Sequence, residues 1–312
     1  MDLTAVTLTE LRYVVAVADT GHFGRAADEC HVSQPTLSTQ IKKLEGQLGV
    51  PIFERTSKRV RLTAAGERIV ERARAILEEV RAIGDLARGH REPLAGPFRL
   101  GVIPTLGPYF LPWLLRPLQA AFPRLQLILQ ESITATLLDD LLAHRVDAAL
   151  LALPVTAPRL TAEPLFDEPF FVLAPTTDPL AARKRVREAD LTGHRVLLLT
   201  EGHCLRDQAL QICGAGRTPH DDAFRATSLE TLRHMVSAGL GCTLLPALAA
   251  PSLSQTKGSV ARPFCAPAPY RRIGLVWRQS FPNAAAVQAL TAFIRGHLPA
   301  GVLAASKDHR QK

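Results

Sequence analysis

The 312-residue sequence carries five cysteines, and one of them stands in a setting suited to thiol chemistry. In Glu201-Gly202-His203-Cys204-Leu205-Arg206-Asp207, Gly202 marks a helix start and puts Cys204 in the first turn. The positive end of the helix dipole, His203 and Arg206 all favour a thiolate, the form that attacks an oxidant. Asp207 opposes this modestly, or instead anchors Arg206. The alternative is a small buried hydrophobe, the usual fate of a free cysteine. Residue types alone leave both open. The other thiols are Cys30, Cys213, Cys242 and Cys265. No Cys/His cluster has the spacing of a metal site, so neither a metal nor another cofactor is expected.

Composition sets the surroundings of these thiols. Apolar residues make up 47% and charged residues 21%, which fits a soluble globular protein and excludes disorder, collagen-like repeats and a disulfide-dense scaffold. No apolar run reaches the ~18 residues of a membrane span. Met1-Asp2-Leu3-Thr4 has neither the basic nor the apolar segment of a signal peptide, so a cytoplasmic protein is expected. Thiols there are free, sensing or catalytic.

Elements must hold such a cysteine in place, and the length predicts two or three domains. Residues 9–20 read as a helix, with Leu11, Val14, Val15 and Ala18 on one face and Thr20-Gly21 as its stop. Phe23 to Cys30 is a second, short helix carrying Ala26-Ala27. After the His31-Val32 turn, Ser33 caps a third helix that Pro35 opens. Leu37, Ile41, Leu44 and Leu48 form its buried stripe and Gly49 ends it, leaving Thr36, Thr39, Gln40 and Lys43 outside. Residues 53–62 read as two short strands around a basic tip, a wing. A capped second helix with a polar face and a wing match a winged helix-turn-helix.

Charge supports this only through its placement. The formal net charge is +8, but residues 1–92 hold 14 Lys+Arg against 13 Asp+Glu, and residues 93–312 hold 23 against 16. Within the small domain, residues 1–30 carry 2 basic and 5 acidic side chains, and residues 31–61 carry 6 and 2. The swing puts the positive end at the third helix and the wing.

A long helix begins at Thr63. Ile69, Ala73, Ile76, Val80, Ile83 and Ala87 repeat at alternating spacings of four and three, a heptad seam flanked by charges. Pairing with a second copy over residues 63–88 is favoured over packing on its own domain. Arg91 to Pro97 is a linker. Strands are then expected near Phe98–Ile103, Leu125–Gln130, Ala148–Leu153, Phe170–Ala174, Val196–Leu199, Thr243–Leu245 and Arg272–Trp277. Helices fall between, including Leu137–His144 and Leu229–Ala238. This is α/β with buried, largely parallel strands. About 220 residues fit two lobes, with ligands at strand ends in the cleft between them. The expected organisation is therefore 1–62 DNA binding, 63–92 linker and dimerisation helix, and 93–312 a two-lobed regulatory domain.

Particular residues then converge on a family. Ala26-Ala27, Val32-Ser33-Gln34-Pro35-Thr36-Leu37-Ser38, Leu48-Gly49, Phe53-Glu54-Arg55 and Leu62-Thr63-Ala64-Ala65-Gly66 resemble the LysR-type transcriptional regulators. Their effector domains are similar to periplasmic binding proteins. Beyond the linker, Val102-Ile103-Pro104-Thr105, residues 164–169, 201–209 with Cys213, 225–233 and Leu244-Leu245-Pro246-Ala247 resemble the peroxide-sensing members of that family. The likeness runs nearly end to end. About five extra residues precede the first helix, Cys242 and Cys265 are additional thiols, and residues 214–222 and the tail after 300 diverge.

The resemblance implies a regulator and not an enzyme. Peroxide would oxidise Cys204 to a sulfenic acid, Cys213 would resolve it to a disulfide, and a cellular dithiol would reduce it. Nine residues of helix would hold the two cysteines ~13.5 Å apart, whereas a disulfide needs Cα atoms within ~7 Å. The bond therefore requires this segment to unwind, which Gly214 and Gly216 ease. Thr105, Thr134, His203, Arg206 and Asp207 would line the peroxide pocket, since a threonine hydroxyl both donates and accepts. Ser33, Gln34, Pro35, Thr36 and Thr39 would face promoter DNA, Lys43 the phosphates, and Arg55, Lys58 and Arg59 the backbone or minor groove. Further implied partners are a second copy, a homotetramer and RNA polymerase. The competing functions are a cleft-bound organic effector, a thiol peroxidase and a metal sensor.

Overall fold

In the N-terminal unit the local sequence dictates each helix boundary. A computed structural model describes residues 6–55, 60–87, 93–214, 225–251 and 257–305. Helix α1 (Leu8–Thr20) is opened by Thr7 and Glu10 in a reciprocal capping box and closed by Gly21 at φ 62°. Helix α2 (Phe23–Glu29) is capped by His22, whose Nδ1 accepts from the Gly24 and Arg25 amides. In α3 (Gln34–Leu48), Ser33 Oγ accepts from the Thr36 amide at 3.3 Å, Pro35 sits in the first turn, and Gly49 at φ 70° ends the helix. Val14, Val17, Ala26, Leu37, Ile41 and Leu44 meet in one buried core. Strands β1 (Phe53–Arg55) and β2 (Val60–Leu62) pair antiparallel as a wing. Glu45 ties the wing to α3 by accepting from the Ile52 and Phe53 amides at 2.8 and 3.1 Å.

Helix α4 (Ala64–Ala87) divides the expected heptad stripe. Gly66 is needed at its start, because a Cβ there would collide with the Ile52 carbonyl oxygen. Val70 and Ala73 are buried, and Ile69 is packed against the same domain's core. Farther along, Ile76, Val80 and Ile83 are 45%, 38% and 66% exposed. The first turns serve the helix's own domain, and the later turns present an apolar stripe to solvent.

The regulatory unit contains β3 (Gly96–Val102), α5 (Gly107–Ala121), β4 (Leu125–Glu131), α6 (Thr134–Leu142), β5 (Ala148–Leu153) and β6 (Leu160–Pro175). After these come β7 (Leu198–Leu199), α7 (Cys204–Cys213), β8 (Arg225–Ala226), α8 (Leu229–Ser237) and β9 (Thr243–Pro246). The chain continues through β10 (Ser259–Pro263), β11 (Tyr270–Arg278), α9 (Ala284–Gly296) and β12 (Leu303–Ala304). The main sheet runs β10-β6-β11-β5-β3-β4, with β9 and β12 also on β6.

The expectation of largely parallel strands is corrected. Among the strand pairs of the described residues, β3–β4, β3–β5 and β7–β8 are parallel, and β11 runs antiparallel to both β5 and β6. The reason is the 16-residue β6, which passes from one lobe to the other and is met by strands returning the opposite way. Its first half pairs with β11, and its second half with β9 and β10. Two hydrophobic cores result. One gathers Leu100, Phe110, Leu150, Phe166 and Leu275. The other gathers Phe170, Val172, Leu197, Leu232 and Leu245.

Candidate functional site

The site is assembled where the parallel strands β3 and β4 end. Thr105 lies just beyond β3 and is buried, and Thr134 opens α6 after β4. Opposite them, the second lobe presents Cys204 as the first residue of α7. Gly202, at φ +91°, turns the chain into that helix, and a Cβ on it would come within 2.9 Å of Ile133 Cδ1. The partly buried Cys204 packs against the first core, while Leu205, Ala209 and Cys213 of the same helix belong to the second. The thiol thus sits between the lobes, on a helix anchored in one of them.

Arg271 organises this site. Its side chain and that of Glu168 are both 0% exposed. The Arg271 Nε donates to Glu168 Oε2 at 2.8 Å, Nη1 to Thr105 Oγ1 at 2.8 Å and Nη2 to the Thr105 carbonyl at 2.9 Å. Glu168 Oε1 accepts from the Leu248 amide at 2.9 Å. Burying two charges is costly, and this pair persists because each partner is bonded on several sides. The consequence for the thiol is directional. With Arg271 donating to its lone pair, the Thr105 hydroxyl is left with its proton to donate, and it lies within reach of Cys204. Thr134 Oγ1 is buried with no hydrogen-bond partner, yet close enough to the sulfur to stabilise a thiolate.

The electrostatics differ from the sequence expectation. Burial pushes the Cys204 thiol up from its ordinary value; the Arg271 charge, the Leu205 amide and the Thr105 and Thr134 hydroxyls pull it back only in part. His203 adjoins the thiol as the buried helix cap, and burial lowers its pKa, so it is neutral and brings no charge. Arg206 turns to Glu201, its Nη1 3.2 Å from the carboxylate, and its Nε is buried without a hydrogen-bond partner. Asp207 is exposed in the first turn. Thr105 and Thr134 thus converge on the sulfur, while Arg206 and Asp207 have other surroundings.

Sequence reasoning missed Arg271 and Glu168. A signal was present in two charge doublets, Asp167-Glu168 and Arg271-Arg272, which stand opposite one another across β6 and β11 as Asp167↔Arg272 and Glu168↔Arg271. Alternation sends one pair inward. The other, Arg272 on Asp167 at 2.7 and 2.9 Å, lies nearer the surface.

Cys213 closes α7 and is buried in the second core. Burial and the nearby Glu188 push its thiol up to about 12. Continuous helix between the two cysteines keeps their Cα atoms about 13.5 Å apart. No disulfide joins the two in this state.

On the N-terminal unit, Ser33, Gln34, Pro35, Thr36, Thr39 and Lys43 are all exposed along α3, opposite the buried Leu37, Ile41 and Leu44. Arg55 ends β1, and Lys58 and Arg59 lie outside the described residues. Among the described residues, no helix is long and apolar enough to cross a membrane.

Comparison with known proteins agrees with this arrangement. Residues 8–67 match the family described as bacterial regulatory helix-turn-helix protein, lysR family, and residues 91–299 match the LysR substrate binding domain. The chain is 45% identical over 293 residues to the DNA-binding transcriptional dual regulator OxyR of Escherichia coli K12, covering 94% of this chain and 96% of that one. A full-length OxyR variant from Pseudomonas aeruginosa superposes with a TM-score of 0.79 at 44% identity, covering 93% of this chain and 95% of that one. A hydrogen-peroxide-bound OxyR mutant from Corynebacterium glutamicum gives a TM-score of 0.65 at 36% identity, covering 93% and 94%. From its helix-turn-helix to the end of its two-lobed domain, the chain belongs to the LysR family of transcriptional regulators, in its OxyR group.

Proposed function

We propose that this protein is a hydrogen-peroxide-sensing transcriptional regulator whose input is Cys204 and whose output is the packing of α7. The observation that carries the reading is a single helix with a thiol at each end. One thiol is ringed by two hydroxyls and a buried guanidinium, and the other is sunk in the second core.

The chemistry is balanced. Peroxide enters beside Cys204, where the unsatisfied Thr134 hydroxyl and Thr105 supply partners for HOOH, and His203 and Arg206 join them once Arg206 swings away from Glu201. Asp207, exposed in the same helical turn, would join the pocket only when α7 rearranges. The sulfur loses its proton, attacks one oxygen and becomes Cys204–SOH, and the other oxygen leaves as water after taking up that proton. The Cys213 thiol then attacks the sulfenic sulfur, forming the disulfide and releasing a second water. A cellular dithiol reverses the bond by exchange. Two sulfurs held apart by helix meet only if α7 unwinds, so Leu205 and Ala209 must leave or repack their core. That repacking alters the subunit interfaces.

The remaining roles follow from the same reading. Residues 1–62 bind promoter DNA through Ser33, Gln34, Pro35, Thr36, Thr39 and Lys43, with Arg55, Lys58 and Arg59 on the wing. Residues 63–92 serve as the linker, which pairs subunits over 63–88 through the exposed Ile76, Val80 and Ile83 of α4. Residues 93–312 sense peroxide and complete a homotetramer. The protein works in the bacterial cytoplasm, where RNA polymerase receives the signal. It consumes peroxide as a signal and not as an enzyme with turnover.

The test is peptide mapping after one equivalent of peroxide, paired with operator footprints of the reduced and oxidised protein. A Cys204–Cys213 linkage and a changed footprint are expected. A Cys204 that stays a free thiol, or a Cys204→Ser variant that still responds to peroxide, overturns the reading.

A further inference from the structure

A third thiol shares the core with Cys213. Cys242 is buried just before β9, against which α7 packs, and both cysteines belong to the second core cluster. The Cys242 backbone is pinned. Its amide donates to the Arg195 carbonyl at 2.9 Å and its carbonyl accepts from the Leu197 amide at 2.8 Å. The preceding Gly241 packs so closely that a Cβ would come within 2.5 Å of the Arg195 oxygen. Cys213, by contrast, is the last residue of its helix and is followed by Gly214 at φ 75°. One sulfur is therefore fixed, and the other ends an element whose next residue turns freely.

We propose that Cys242 is a second partner for Cys213, and that a Cys213–Cys242 disulfide staples α7 to β9 and returns the sensor to its reduced-like fold. The inference rests on the Cys204–Cys213 reading above. The step is an exchange: the Cys242 thiolate attacks Cys213 sulfur, the Cys204–Cys213 bond breaks, and Cys204 leaves as thiolate and takes up the proton. No electrons enter or leave. The two bonds are exclusive, because both use Cys213. They have opposite consequences: the first requires α7 to unwind, and the second joins residues already in one core and keeps the helix.

The exchange is a slow second stage. Burial, with smaller contributions from Cys213 and Asp178, raises the Cys242 thiol to about 12, so little attacking thiolate exists at neutral pH. The sensor would respond to peroxide first and shut itself off later, without a reductant. While stapled it would be refractory to a second dose, because Cys204–SOH would find no free resolving thiol.

Trypsin separates the three sulfurs onto residues 196–206, 207–217 and 234–257. The full-length protein receives one equivalent of peroxide in the absence of reductant, and samples are quenched in acid with alkylation over time. The 196–206/207–217 crosslink should form first and decay as 207–217/234–257 grows in. In Cys242→Ala and the space-filling Cys242→Val, the first crosslink should persist. Reduced protein of each variant should keep its operator footprint, which establishes that it is folded. If the first crosslink forms but the second never does, or decays equally fast in both variants, this inference fails alone. If the first never forms, the underlying reading fails with it.

Discussion

The Thr105 hydroxyl occupies a position from which its removal must have two separable effects. Thr105→Val keeps the shape and deletes the oxygen that accepts from Arg271 Nη1 at 2.8 Å and offers its proton to Cys204. The first loss leaves a buried guanidinium donor unsatisfied, at a cost of about 1–3 kcal/mol. For a domain of this size that lowers Tm by roughly 2–12 °C. The second loss removes a hydrogen bond to a charged sulfur, worth about 1.5–3 kcal/mol, which slows thiolate attack about 10- to 150-fold. Stopped-flow oxidation of Cys204 under excess peroxide measures the rate, and thermal unfolding of the reduced protein measures the stability. Thr105→Ser keeps the oxygen and should recover most of the rate. A Thr105→Val protein that reacts at the wild-type rate would refute the placement of this hydroxyl at the sulfur.

Other expectations follow from the same structure. Glu168→Gln removes the countercharge of a fully buried Arg271 and should destabilise the regulatory domain by about 3–5 kcal/mol, read by denaturant unfolding. Burial raises Cys213 to about 12 from the 9.0 of an exposed thiol, so between those values the unfolded chain has lost a proton that the native one keeps. Stability should hold below pH 9.0 and fall as pH rises toward 12, and Cys213→Ala should flatten that slope. Ile83→Lys places a charge on the exposed stripe of α4 and should shift sedimentation toward smaller species without changing helix content. Lys43→Ala should weaken binding to all sequences alike and reduce the salt slope of DNA affinity by about one unit.

The helix-turn-helix was legible because its signals are local. Ser33 and Pro35, and Gly21 and Gly49, each fix a boundary within one turn of the chain, while the Thr7–Glu10 capping box that starts the first helix at Leu8 was not read. Most strands of the regulatory domain were legible as apolar runs, but β8, β10, β12 and the first half of β6 were not, nor were the strand directions. The first half of β6 carries Glu163, Pro164, Asp167, Glu168 and Pro169, which interrupt any apolar pattern, and its partners lie more than a hundred residues away on β11. The same distance hid Arg271, whose role depends on facing Glu168 across a strand and Thr105 beyond a third. The seam of α4 was read correctly as apolar, but periodicity does not record where a helix leaves its own domain. At Cys204 the residues favouring charge were visible and the burial opposing it was not, so the direction of the shift came out reversed.

In the proposed switch, oxidation trades the helix between Cys204 and Cys213 for a covalent loop. Hydrogen exchange across residues 204–213, measured in the reduced protein and again directly after one equivalent of peroxide, tests it most closely. Protected amides are expected in the reduced state, and their loss as the Cys204–Cys213 linkage appears. A segment that stays protected while carrying that linkage would contradict it.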